Sequence, residues 1–318
     1  MSKSTPMVNL AEEYLAYRRR LGYQLRAEGQ MLLEFARYAD RSGHRGPLTN
    51  ELTVQWARLP AKAALAYQAR RLEVVRCFAR HRAIFDPRTE IPPEGLLGSA
   101  HCRSAPYIYS EAELSTLLAA ARRLRSHTGL RPQTYATMIG LLSCSGLRIS
   151  EVLKLSRDDI DWEHSTLTIR ESKFHKSRLV PLHPSAIRAL SEYARTRDRC
   201  HPIPQTDAFF VSDCGSALPY TTFRHTFRRL CKHLPAPPCP GKRGPRIHDL
   251  RHSFACRRLL RWYADGANLD HEITALSTYL GHAKVSDTYW YITGIPELLD
   301  LAVSRFERFA FPNHGGLS

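Results

Sequence analysis

Between Phe85 and Ile108 the chain reads "DPRTEIPPEGLLGSAHCRSAPY", 22 residues with four prolines, two glycines and no hydrophobic periodicity. Proline lacks the backbone N–H and bars the preceding residue from the helical region, so neither helix nor central strand can run through such a stretch. This stretch, residues 86–107, is therefore expected to be a linker, with one domain over 1–85 and another over 108–318. A length of 318 residues suits that division, since a domain takes roughly 100–200 residues.

The first hundred residues carry helical spacing. In "LAEEYLAYRRRLGY" and "EGQMLLEFARYAD" apolar residues recur at intervals of three and four, with Gly43 and Pro47 closing the second segment. "AKAALAYQARRLEVVRCFARHRAI" reads as a further pair of helices or one long one, with Leu72, Val75 and Phe78 on one face and arginines opposite. Those arginines suit either a solvated face or a row of phosphates.

Beyond the linker, "SEAELSTLLAAARRL" opens with Ser110 and has Glu113 three residues on, the signature of a capping box. "STLTI" (165–169) and "SRLVPL" (177–182) alternate and are β-branched, which predicts an antiparallel hairpin joined by "RESKFHK". Helices resume at "HPSAIRALSEYA", "YTTFRHTFRRLCKHL" and "IHDLRHSFACRRLLRWYA". The expected fold class is mainly α with a small antiparallel β-sheet, the sheet lying in the second domain.

The formal net charge of +16 constrains the partner. It is not confined to a tail: residues 1–107 hold 17 Lys and Arg against 10 Asp and Glu, and residues 108–318 hold 29 against 20. Charge spread over both domains, with arginine far outnumbering lysine, points to a polyanion such as nucleic acid, because each neutralised phosphate releases condensed counterions. No apolar run reaches the roughly 18 residues of a membrane helix and the start lacks the apolar core of a signal peptide, so a cytoplasmic protein is expected. Eight cysteines lie scattered without a CxxC pair, which fits reduced thiols. Cys200 next to His201, and Cys231 eight before Cys239, are weak hints of a metal, and no cofactor is expected.

Three stretches could carry chemistry. "SGLRISEVLKL" sets Arg148 at the start of a helix with Glu151 on the same face, placed to orient it. "HDLRH" places His248, Arg251 and His252 at i, i+3 and i+4 on one face. Two histidines at that spacing can bind zinc, but Asp249 stands where the HExxH glutamate would, and a guanidinium between the ligands suits an oxyanion better than a cation. In "LGHAKVSDTYWYITG" (280–294), His282 and Tyr291 are nine residues apart, on opposite sides of any continuous helix. Gly281 reads as a helix stop and Ser286 or Asp287 as the cap of a new helix, so a turn would let the two converge.

These motifs, in this order and spacing over most of residues 110–310, resemble those of the tyrosine recombinase (phage integrase) family: "GLRISEVLKL", a hairpin lysine ahead of "RLVPL", "HDLRH", and "LGH" followed nine residues later by Tyr. The resemblance implies that Arg148 and Arg251 hold the scissile phosphate, that His248 and His282 are its other side-chain partners, and that Tyr291 is the nucleophile. Counting back five residues from Arg178, as the family's hairpin motif does, gives Lys173 as the general acid. "ESKFHKSR" lacks the family's flanking glycines and carries Lys176 as a competitor, and Thr293 stands where members often have His.

The same resemblance implies a site-specific recombinase, which grips DNA with a helical core-binding domain and cuts it with the catalytic domain. Two fixed guanidiniums with histidine donors would stabilise the extra charge on the equatorial oxygens of the transition state without a metal. Tyr291, with an ordinary pKa near 10, must lose its proton on attack, and His248 is the expected base. Attack gives a 3′-phosphotyrosine and a free 5′ hydroxyl, a link that stores the bond energy, so no ATP is needed. The expected partners are double-stranded DNA and further copies or other recombinases, as a tetramer on two sites, with the tail helix 295–310 docking on a neighbour. Type IB topoisomerase relaxation and a non-catalytic DNA-binding accessory role are the alternatives, and Tyr289 is the neighbouring hydroxyl that competes with Tyr291.

Overall fold

The computed structural model describes residues 5–100, 106–170, 177–235, 244–282, 284–293 and 303, with the backbone alone for 290–293. The chain divides into two compact units, Met1–Ser104 and Ala105–Ser318.

The first unit packs four helices, α1 (Met7–Arg20), α2 (Arg26–Arg41), α3 (Asn50–Arg58) and α4 (Leu65–Ala83). Each turns one apolar stripe inward. Tyr14 and Leu15 of α1, Leu32 and Phe35 of α2, Trp56 of α3, and Leu72, Val75 and Phe78 of α4 form a single core, with Phe35 and Trp56 meeting edge to face at 5.3 Å. The face read from Leu72, Val75 and Phe78 is thus the buried one. α4 is one helix rather than a pair, and α3, which the sequence reading left unassigned, is capped by Thr49 accepting from the Leu52 N–H. Nor are all arginines of α4 outside: Arg71 is buried, with its guanidinium 3.7 Å from the centre of the Trp56 ring and donating to the Trp56 carbonyl. Arg76 donates to the carbonyls of Pro92 and Pro93 and Arg80 pairs with Glu94, which lays the proline-rich stretch along α4.

The second unit runs α5 (Glu111–Arg122), α6 (Leu130–Ser145), α7 (Ile149–Lys154), strands β1 (Ile160–Asp161), β2 (Thr166–Ile169) and β3 (Arg178–Pro181), then α8 (Pro184–Cys200), α9 (Tyr220–Leu230), α10 (Ile247–Ala264), α11 (Leu269–Leu280) and α12 (Ser286–Thr293). The chain is mainly helical with one small sheet, antiparallel in the order β1-β2-β3, as the sequence predicts. β2 pairs with β3 so that Leu167 faces Val180 and Ile169 faces Arg178. β1, only two residues long, was not foreseen. Ser110 and Glu113 form the expected capping box, each side chain accepting from the other's backbone N–H.

α6 is the centre of this unit. Apolar on nearly every side, it buries Met138, Ile139 and Leu142 beneath α5, α8 and α10. Leu167 and Val180 of the sheet, Tyr193 of α8, and Phe223 and Phe227 of α9 join the same core. A smaller cluster, Phe254 and Leu259 of α10 with Ile273, Leu276 and Leu280 of α11, fixes α11 against α10. Among the described residues no helix is long and apolar enough to cross a membrane.

Candidate active site

Arg148 stands at the N-cap of α7 in an extended conformation. Its own N–H donates to Glu151 Oε2 at 2.9 Å and its guanidinium to Glu151 Oε1 at 2.9 Å, so Glu151 orients it as the spacing suggested. The other arm of the guanidinium donates to the Gly281 carbonyl at 3.0 Å, 133 residues along the chain. Glu151 also takes both arms of Arg178, at 3.0 and 3.1 Å, while Arg178 Nε donates to the Tyr279 carbonyl. One buried carboxylate therefore serves two guanidiniums, that of Arg178 as a two-pronged fork and that of Arg148 through one arm. Burial alone would raise the Glu151 pKa, but the hydrogen bonds and charge of Arg178, with those of Arg148, hold it below the ordinary carboxylate value.

Arg251 lies on α10 and is 1% exposed. A cation so deep needs carbonyl partners, and it finds them at two helix ends: it donates to Gly146 O, past the end of α6, and to Leu280 O, the last residue of α11, both at 2.8 Å. The last carbonyls of a helix lack intrahelical donors and carry its negative partial charge, so each end is a natural cradle for a guanidinium. Both helices stop at glycines in the left-handed region, Gly146 at φ +62° and Gly281 at φ +68°. At Gly281 the ending is a Schellman motif, with Gly281 N–H donating to Thr278 O and His282 N–H to Ser277 O. A Cβ would meet the Phe254 ring at 2.5 Å from Gly146 and the Arg178 guanidinium at 2.9 Å from Gly281. Arg148 and Arg251 are thus bonded to the consecutive carbonyls Gly281 and Leu280, which brings the two guanidiniums to one place.

Two histidines share that place. His248, in the first turn of α10, meets His252 edge to face at 4.7 Å between ring centres. His248 is exposed by surface area yet has protein packed around it. That desolvation, with the charge of Arg251, pushes its pKa down to about 4, and His252 is pushed down to about 3 by burial and the charge of His248. Asp249, at the position of the HExxH glutamate, is fully buried and spends its carboxylate on the N–H and guanidinium of Arg246 at the helix start. It is a capping residue, facing away from any metal role. His282 comes directly after Gly281, and its pKa is lowered to about 4 by burial and then by Arg251 and Arg148. At pH 7 all three rings are neutral, each with one nitrogen able to accept a proton.

The turn after His282 delivers α12, which begins at Ser286, so Ser286 and Asp287 both lie inside its first turn and Val285 O accepts from Thr288 and Tyr289. His282 Nδ1 sits 2.7 Å from the hydroxyl of Thr288, a fully buried residue. Tyr289 is exposed, and its hydroxyl donates to Asp270 in the first turn of α11, the end remote from His282. Tyr291 lies in α12, with its side chain outside the described residues; Lys173 and Lys176 lie outside them altogether, as does the tail 295–310 apart from residue 303. Of the six expected site residues, then, Arg148, His248, Arg251 and His282 are gathered together, and the fifth, Tyr291, lies on α12, which packs against α10 and α11.

Arg178 and Thr288 are members the sequence reading missed. Arg178 entered it only as a marker for counting back to Lys173. Its signal was present: on β3 it alternates with Val180, which is buried, while Leu179 between them is exposed, and an arginine on the inward face of a strand demands a buried carboxylate. Among the described residues no group of three or more His, Cys, Asp or Glu gathers as metal ligands, and Cys239 lies outside them.

The chain is similar to known proteins over most of its length. The model of the phage integrase family matches residues 109–295. A putative integrase/recombinase of Sinorhizobium fredii, y4rB, is 41% identical over 301 residues, 93% of this chain and 96% of that protein. The tyrosine recombinase XerD of Caulobacter vibrioides is 32% identical over 84% of each chain. Among solved structures, the Tn1549 transposon integrase in complex with transposon right end DNA superposes with a TM-score of 0.71 at 16% identity, covering 96% of this chain and all of that one. The XerH site-specific recombinase bound to a palindromic difH substrate superposes at 0.63 and 19%, covering 88% of this chain and 79% of that one.

Proposed function

The chain belongs to the phage integrase family of tyrosine recombinases, and from that membership we propose that Arg148, Lys173, His248, Arg251, His282 and Tyr291 form the catalytic set of a site-specific DNA strand transferase. The observation that carries the reading is the pair of guanidiniums on the consecutive carbonyls of Leu280 and Gly281, flanked by neutral His248 and His282. Two fixed cations with two adjacent imidazoles make a site for one phosphodiester, whose equatorial oxygens gain charge in the transition state.

In the cleavage step the Tyr291 oxygen bonds to phosphorus and the bond to the 5′ oxygen breaks. His248, kept neutral by burial and Arg251, accepts the tyrosine proton. Lys173 gives a proton to the departing 5′ oxygen. The products are a 3′-phosphotyrosine and a 5′ hydroxyl, and attack by a 5′ hydroxyl from another strand reverses the step on a new partner. Basic charge in both units suits DNA binding by each. Helices α1–α4, residues 1–85, act as the core-binding domain that closes on the duplex with the catalytic domain, 108–318. Assembly as a tetramer on two sites is supported by the fold shared with a lambda integrase solved as a tetramer on a Holliday junction, TM-score 0.63 at 16% identity. The integrase names of the relatives favour a mobile element as the setting.

Mapping the covalent link tests this assignment. Trypsin should release the peptide spanning Val285 to Arg305 with nucleotide attached, fragmenting at Tyr291; a nucleotide on Tyr289, or on no peptide of this chain, contradicts it. For the acid, Lys173→Ala should be rescued by a 5′-bridging phosphorothiolate, whose sulfur leaves without a proton. Rescue of Lys176→Ala instead would move the role to Lys176.

A further inference from the structure

His282 carries a question that the assignment of a phosphate site leaves open, namely which ring nitrogen bears the hydrogen. A neutral imidazole donates from one nitrogen and accepts at the other, and the partners of the two nitrogens together decide which. The partner of Nδ1 is Thr288: its hydroxyl lies 2.7 Å from His282 Nδ1 and is fully buried, so no bulk water competes for the bond. The backbone that carries the ring is itself fixed, because His282 N–H is tied to Ser277 O in the helix-ending motif and Gly281 before it takes the left-handed conformation.

Resting on the reading that His282 faces the scissile phosphate, we propose that Thr288 is a positioning residue: its hydroxyl donates to His282 Nδ1, holds the hydrogen on Nε2, and thereby makes His282 a donor to a phosphate oxygen. The opposite tautomer would turn a lone pair toward an anion, beside two guanidiniums that are there to attract it. A hydroxyl can serve either tautomer, so the choice is set by the surroundings. Arg251 and Arg148, which depress the proton affinity of the whole ring, leave the singly protonated form as the one that must do the work. Thr288 also belongs to α12, three residues before position 291 and so about 60° from it around the helix. The same bond that fixes the tautomer therefore sets the helix of the proposed nucleophile against the turn that cradles Arg148 and Arg251. None of this appears in the motif spacing, because Thr288 does not itself touch the phosphate.

The test compares Thr288→Val, which keeps the shape and removes the hydroxyl, with Thr288→Ser, which keeps the hydroxyl. In full-length protein labelled with 15N-histidine, the His282 signal, assigned by its loss in His282→Gln, should show the hydrogen on Nε2 at pH 7. Thr288→Val should give a mixture of tautomers. Its rate of covalent adduct formation on a nicked duplex should fall up to about 100-fold, the scale of losing one transition-state donor, with DNA affinity unchanged. Thr288→Ser should restore both. Hydrogen on Nδ1 in the wild-type protein, or a valine variant with the wild-type tautomer, overturns the proposal. A mixed tautomer with an unchanged adduct rate overturns the positioning role alone. Absence of any adduct from the wild type contradicts the phosphate-site reading instead, and the tautomer measurement still decides what Thr288 does to the ring.

Discussion

Arg178 and Glu151 show how the site is held at the scale of single residues. Glu151 is 7% exposed and has two cationic partners, so removing one leaves a buried carboxylate with half its compensation. Arg178→Met should cost about 3 kcal/mol, the lower end for breaking a buried pair, and should slow strand cleavage because Arg148 loses its fixed carboxylate. Urea midpoints and adduct rates check both halves, and a neutral effect on stability would remove Arg178 from the account. Gly146→Ala should be more damaging than Gly281→Ala. Both force a left-handed residue, about 1–2 kcal/mol, but at Gly146 the new methyl meets the Phe254 ring at 2.5 Å, whereas at Gly281 it meets the Arg178 guanidinium at 2.9 Å. His248, His252 and His282 are all held below the ordinary value of 6.5 in the folded protein. The unfolded chain therefore binds protons first as pH falls, so stability is fully present above pH 6.5 and declines from there toward about 3. A urea midpoint that is flat or rises between pH 6.5 and 4.5 would contradict those burial assignments.

Elements divide sharply into those that local chemistry announces and those that it does not. Ser110 with Glu113 and the face of Leu72, Val75 and Phe78 were readable because each depends on residues within one or two turns. Gly281 was readable too, since only glycine stops a helix this cleanly in the left-handed region. α3 escaped notice because it is only nine residues long, and β1 because two residues form a strand only when β2 is there to receive them. The gathering of the site lay out of reach of spacing altogether: the bonds from Arg148 to Gly281 and from Arg251 to Gly146 span more than 100 residues. The family's order of motifs could name the residues, but only the packing of α6, α10 and α11 shows what holds them. α12 separates its tyrosines by geometry, since positions 289 and 291 are about 200° apart around a helix. Tyr289 is engaged with Asp270. Tyr289→Phe should therefore keep the adduct rate within about twofold, losing one exposed hydrogen bond worth about 1 kcal/mol or less; loss of the adduct would transfer the nucleophile to Tyr289.

For the whole molecule the decisive property is charge. A net +16 spread over both units gives DNA binding a large electrostatic component, and affinity should fall steeply with salt. If six to ten phosphates are neutralised, binding should weaken by about 10³- to 10⁵-fold between 50 and 200 mM salt. Titration of a fluorescent duplex with the full-length protein measures that slope, and a shallow one would confine the DNA contact to the neighbourhood of the site. Charge alone, however, describes any DNA-binding protein; strand transfer needs a covalent link to one residue. The measurement that tests this most directly is adduct formation by Tyr291→Phe on a duplex nicked to trap the cleaved state, run beside the wild type. The wild-type protein should become bound to DNA in a complex that survives denaturant, and the variant should bind the duplex equally well and form no such complex. A denaturant-resistant adduct formed by Tyr291→Phe would contradict the central claim.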